Sequence, residues 1–152
     1  LLHRDLKPEN IFLANSAQAV TAKILDFGVV KTLAGSEEET VEGQTEPGRL
    51  VGTLKYMAPE ALRGERASEG WDLWALGVVA YEILTGEHPF GGRTISETRN
   101  NIVDGRKAPI SKHLPAAPES WQGFFDKALA YDAASRPQTA AEFLQDFKAN
   151  II

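Results

Sequence analysis

Apolar positions along the chain fall into three regimes. Ile11-Phe12-Leu13 and Ala22-Lys23-Ile24-Leu25 are short apolar runs on either side of a polar connection holding Asn15, Ser16 and Gln18. This pattern predicts a small two-stranded element. From Val30 to Arg49 the periodicity gives way to Gly, Thr and Glu, with Pro47 among them. A stretch of that length without a pattern predicts a long loop, functional or disordered. Between Ser68 and Leu84, apolar residues occupy nearly every face: Trp71, Leu73, Trp74, Leu76, Val78, Val79, Ile83 and Leu84. A helix apolar all round is a buried one, so this segment predicts the central helix, ending before Gly86.

Helical signals continue to the end. Thr94-x-x-Glu97 is a capping box that opens a helix closed by Gly105. A connection with Pro109, Pro115 and Pro118 follows, and then Trp121, Phe124, Phe125, Ala128 and Leu129 at helical spacing. Thr139-x-x-Glu142 opens a last helix with Phe143, Leu144 and Phe147 on one face. Trp71, Trp74 and Trp121 are expected in the core. His88 and His113 have no ligand-spaced partner and receive no function. The expected fold class is mainly α: a β pair, a long loop, and a helical bundle around one buried helix.

Composition narrows the classes of partner. The 152 residues fit one domain, able to bury roughly 70% of the surface of the unfolded chain. A net charge of −5 argues against nucleic acid or an anionic membrane as the main partner. Without Cys there is no disulfide framework or thiolate metal site. The longest apolar run, Trp74 to Tyr81, is far short of the ~18–20 residues that span a bilayer, and no signal peptide is visible. The chain starts at Leu1 and its only Met is Met57. We read it as a piece of a longer protein, cut just before the motif described next.

That motif is His3-Arg4-Asp5-Leu6-Lys7-Pro8-Glu9-Asn10. It sets a carboxylate, a cation two residues on and an amide five residues on, the donor set that phosphoryl transfer uses. Asp26-Phe27-Gly28 follows 21 residues after Asp5, and Ala58-Pro59-Glu60 comes later. Either Asp alone reads as a turn residue bonded to backbone, the better reading of most isolated Asp-Phe-Gly triplets; both motifs, in order, leave that reading little room. Together they resemble the C-terminal catalytic lobe of the eukaryotic-type protein kinases. Lys7-Pro8-Glu9 is the serine/threonine version, and Leu54 to Met57 and Leu84 to Gly86 have a bacterial cast. The resemblance runs from the catalytic loop to the last helix.

The resemblance implies ATP as phosphoryl donor, Mg²⁺ as cofactor, a protein Ser or Thr hydroxyl as acceptor and a cytoplasmic location. Asp5 would be the catalytic base, Lys7 would face the γ-phosphate, and Asn10 and Asp26 would ligate the metal. Lys7, Glu9, Asn10, Phe12 and Asp26 would form the nucleotide side, with Phe12 beneath the adenine. Thr53 would bond Asp5 and Lys7. His3, Phe27 and Gly28 would support the site, and Glu60 would pair with Arg136. Asp72 reads either as a first-turn carboxylate or, by resemblance, as a holder of the catalytic-loop backbone. Glu82 lies where some members of the family bind a substrate Arg. Arg4 and Lys31 would receive a phosphate on Thr45 or Thr40; either Thr also reads as an ordinary loop residue.

The 152 residues contain no G-x-G-x-x-G loop and no Val-Ala-Ile-Lys strand, the parts that cradle the nucleotide phosphates. Lys23 belongs to the strand before Asp26 and cannot supply that lysine. Residues 1–152 therefore read as a partial kinase domain lacking its N-lobe, with the piece alone incompetent. The alternative is a lone C-lobe that docks proteins without catalysis. A small-molecule kinase of related fold fits the segment from Gly52 to Glu60 less well.

Overall fold

The computed structural model describes residues 2–15, 19–25 and 52–152. The long loop expected from Val30 to Arg49 lies outside them, as do Asp26, Phe27, Gly28, Lys31, Thr40 and Thr45. Strands β1 (Ile11–Asn15) and β2 (Val20–Ile24) pair antiparallel, with Ile11 opposite Ile24 and Asn15 opposite Val20. Among the described residues, helices α1 (Pro59–Leu62), α2 (Glu69–Thr85), α3 (Ile95–Val103), α4 (Glu119–Ala128) and α5 (Ala140–Asn150) follow. The architecture is mainly helical with one small sheet, as its apolar pattern predicts.

Helix α2 is the axis of the core. Leu73, Trp74, Ala75, Val78, Val79, Ala80 and Tyr81 are buried along it. Gly86 closes it in the left-handed conformation at φ 74°, which costs little without a Cβ. Its burial is less complete than its composition implies. The last turn emerges into solvent, with Ile83 78% exposed. Trp74 stacks on Phe90 at 5.3 Å, Tyr81 meets Phe125 edge-on, and Phe124 touches Phe125, Phe143 and Phe147. Only Trp74 of the three tryptophans is fully buried; Trp71 and Trp121 pack at the core's edge. Leu144, expected beside Phe143, is 51% exposed instead.

Both capping boxes form with one variation. The Thr94 and Thr139 hydroxyls accept from the Glu97 and Glu142 amides. The glutamate side chains return to the amides of Arg93 and Gln138, one residue before the caps. Helix α3 ends in a Schellman arrangement. The Arg106 amide donates to the Asn101 carbonyl and the Gly105 amide to Ile102, with Gly105 at φ 66°. Gly77 lets α2 approach the α4 end closely, since a Cβ there would lie 3.0 Å from Leu129.

Candidate active site

Residues 3–10 form a loop and a short 3-10 turn (Pro8–Asn10) that runs directly into β1. Arg4 adopts φ 64°, a left-handed conformation that costs a non-glycine residue of order 1–3 kcal/mol. Asp72, in the first turn of α2, holds the loop in this shape. Its carboxylate accepts from the backbone amides of His3 at 2.7 Å and Arg4 at 2.8 Å. Asp72 thus sits at a helix start and also bonds the loop backbone.

Inside the loop the polar side chains converge. The Thr53 hydroxyl donates to Asp5 Oδ1 at 3.0 Å and accepts from Lys7 Nζ at 2.9 Å. Lys7 Nζ lies 3.2 Å from Asp5 Oδ2. Asn10 Nδ2 donates to the Asp5 carbonyl at 2.7 Å and to Asp5 Oδ2 at 3.3 Å. Lys7, Asn10 and Thr53 are each 5% exposed, whereas the Asp5 side chain keeps 24% of its surface open. A desolvated cluster therefore presents one accessible carboxylate. Its partners hold both oxygens in a fixed orientation.

The end of β2 is tied to the same loop. The Leu25 amide donates to the Asn10 carbonyl at 2.8 Å, and His3 Nε2 donates to the Leu25 carbonyl at 2.8 Å. His3 Nδ1 accepts from the Asp5 amide, which places the ring proton on Nε2. Leu25 is the residue immediately before Asp26. Because the Asn10 amide nitrogen is engaged by Asp5, its oxygen remains for a hard cation, the ligand chemistry that Mg²⁺ takes. Among the described residues Asn10 supplies one such oxygen; the second expected ligand, Asp26, lies outside them. Glu9 and Phe12 are exposed, Phe12 by 57%. A cavity of about 30 Å³ beside Asp5 is lined by Thr53, Tyr56, Trp71 and Asp72 among others; it has room for a water or two and none for a nucleotide.

Residues 52–58 approach Asp5 from the other side. Tyr56 donates to Glu82 Oε2 at 2.8 Å; burial raises both groups above their ordinary ranges. Glu82 is thus engaged within the chain. Farther out, Glu60 and Arg136 make a two-pronged pair at 2.7 and 2.9 Å. His88, to which the sequence assigned nothing, bonds the Lys55 carbonyl through Nε2 at 2.9 Å, and its Nδ1 accepts from the Phe90 amide at 3.1 Å. No spacing rule reveals such a bond, because its acceptor is backbone.

Burial, helped by the Lys55 charge, pushes His88 down to about 4 from 6.5, against the opposing effect of its bond to Lys55. The unfolded chain therefore binds the proton more tightly. The stability associated with neutral His88 is complete above pH 6.5 and is lost as pH falls toward 4. Glu82, raised by burial, works in the opposite direction. Comparing urea denaturation of the wild type and His88→Gln at pH 7 and pH 4.5 isolates the histidine. The wild type is expected to lose about 2–3 kcal/mol more than the variant on acidification. Equal losses would contradict this.

The protein kinase domain family matches residues 1–147, and the chain belongs to that family. Bacterial proteins are among its similar relatives. "Probable serine/threonine-protein kinase PknB" of Bifidobacterium longum is 36% identical over 146 residues, covering 96% of this chain and 20% of that protein. Serine/threonine-protein kinase PknB of Mycolicibacterium smegmatis is 35% identical over 147 residues, 96% of this chain and 22% of that protein. Serine/threonine-protein kinase PknD of Protochlamydia amoebophila is 32% identical over 161 residues, covering 97% and 16%. The chain thus spans about a fifth of the length of the relatives it matches. No helix among the described residues is long and apolar enough to cross a membrane.

Proposed function

We propose that this chain is the catalytic-loop half of a serine/threonine protein kinase, transferring the γ-phosphate of ATP to a protein Ser or Thr hydroxyl. The observation that carries the reading is the closed Asp5–Lys7–Thr53 triangle, built from residues 48 positions apart around one accessible carboxylate. The bacterial relatives named serine/threonine kinases support it.

In this reading Asp5 orients the acceptor hydroxyl and takes its proton as the new O–P bond forms and the bond to the β-phosphate oxygen breaks, releasing ADP. Lys7 offsets charge on the transferred group. The Thr53 hydroxyl holds Asp5 and Lys7 in register and forms one wall of the acceptor site. Asn10, with Asp26 from the adjoining motif, would hold Mg²⁺. When bound, the ion neutralises phosphate charge and fixes the phosphate geometry. Glu9 and Phe12 would face the nucleotide, His3, Phe27 and Gly28 would support the site, and Arg4 and Lys31 would receive a phosphate on Thr45 or Thr40. A cytoplasmic location belongs to the same reading.

Radiolabelled ATP with a protein acceptor, followed by phosphoamino-acid analysis of the full-length gene product, tests this. Label on Ser or Thr is expected; label on Tyr alone, or none, overturns it. The 152 residues by themselves are expected to give no transfer above the blank, because half of the phosphate cradle is not among them and positioning dominates this reaction. Robust transfer by the 152 residues, abolished by Asp5→Asn, would refute that dependence.

A further inference from the structure

The segment that carries Thr53 is held at more than its two ends. A tight turn shapes it, with the Tyr56 amide bonded to the Thr53 carbonyl at 3.1 Å and the Met57 amide to Leu54 at 3.4 Å. Ala58 at its end is completely buried. In between, the Lys55 carbonyl faces away from the turn and meets His88, 33 residues on. The His88 ring sits between Tyr56 and Phe90, edge-on to both at 6.1 and 6.3 Å. Phe90 is 1% exposed and stacks on Trp74 of α2. A continuous line of contacts runs from the core through Trp74, Phe90 and His88 to Lys55, and through the turn to Thr53 and Asp5.

We propose that His88 is a positioning residue for acceptor phosphorylation: its neutral ring joins the Lys55 carbonyl to the Phe90 amide and so fixes the turn that delivers the Thr53 hydroxyl to Asp5 and Lys7. The inference rests on the kinase reading above. The position calls for a side chain that donates to the Lys55 carbonyl and accepts from the Phe90 amide. Neutral imidazole does both; a phenyl ring has the shape and neither group. Burial keeps the ring neutral at physiological pH, since its pKa falls to about 4. The bond partner is a main-chain carbonyl, so the identity of residue 55 is immaterial and only its backbone is held.

His88 touches neither the acceptor hydroxyl nor the nucleotide in this reading. Its removal therefore has a specific kinetic form. In the full-length gene product, His88→Phe is expected to lower kcat/KM for the protein acceptor roughly ten-fold, the order that displacement of a positioned group causes. The KM for ATP should stay unchanged. His88→Gln, which restores a donor toward Lys55, should recover most of the loss. Unaltered acceptor constants in both variants, with only a lower thermal midpoint, overturn the proposal. So does a KM for ATP that moves in step with the acceptor constants.

If the wild type transfers no phosphate, the kinase reading fails, and spectra of the same protein decide the positioning claim separately. Selective ¹⁵N-histidine labelling should show His88 neutral with its proton on Nε2 at pH 7. Amide exchange at Tyr56 and Met57 should quicken in His88→Phe while α4 is unmoved. A proton on Nδ1, or unchanged exchange at 56 and 57, overturns it.

Discussion

Replacing Arg136 with alanine is expected to destabilise the fold by about 3–5 kcal/mol, the cost of leaving one member of a buried ion pair behind. Arg136 is 3% exposed and Glu60 5%. The guanidinium does more than meet the carboxylate. Its Nε donates to the Ala130 carbonyl at 2.8 Å and Nη2 to Tyr131 at 3.0 Å, and the group lies 4.6 Å over the Trp74 ring. Alanine would strand the Glu60 carboxylate out of water and release the connection between α4 and α5. A paired replacement, Glu60→Leu with Arg136→Met, should cost much less, because no charge is then left buried. Urea midpoints for the single and double variants measure both. A loss below about 1 kcal/mol for Arg136→Ala would mean that water replaces the guanidinium, contrary to its burial.

Asp5→Asn should reduce phosphoryl transfer by the full-length gene product about 10²–10⁴-fold, the range for loss of a general base. The amide has the shape of the carboxylate and keeps one acceptor oxygen toward Thr53 or Lys7. It cannot take a proton. The KM for ATP and the thermal midpoint should therefore change little while kcat collapses. A variant retaining more than about a tenth of the wild-type kcat would remove Asp5 from the role of base. Parallel collapse of kcat and thermal midpoint would point to a structural part for Asp5 within the Lys7–Thr53–Asn10 cluster.

Much of this was legible in the residues. A helix apolar on every face can only be central, and α2 is. Two Thr-x-x-Glu boxes marked the starts of α3 and α5 because the cap is a local bond between near neighbours. The Asp5–Lys7–Thr53 and Glu60–Arg136 contacts came from family resemblance; periodicity and spacing carry no trace of bonds across 46 to 76 residues. Tertiary detail escaped both routes. The outward turn of Ile83 and Leu144 depends on where neighbouring helices stop. Glu97 and Glu142 reach one residue past the cap, a matter of side-chain length. His88 was passed over because its partners are backbone groups, and a carbonyl looks alike under every residue type.

The left-handed Arg4 and its tether to Asp72 also say something about the order in which this chain must come together. The loop's favoured conformations are not the one it adopts, and the carboxylate that imposes the native one lies 69 residues downstream of His3. Closing so large a loop is entropically costly until other contacts have drawn its ends near. The bundle around α2 relies on contacts nearer in sequence, such as those of Phe90, Phe124 and Phe143. The reactive loop is therefore a late arrival. A nascent chain still lacking the residues around 72 has no carboxylate to hold the His3 and Arg4 amides, so the loop takes this shape only once the helical half has emerged.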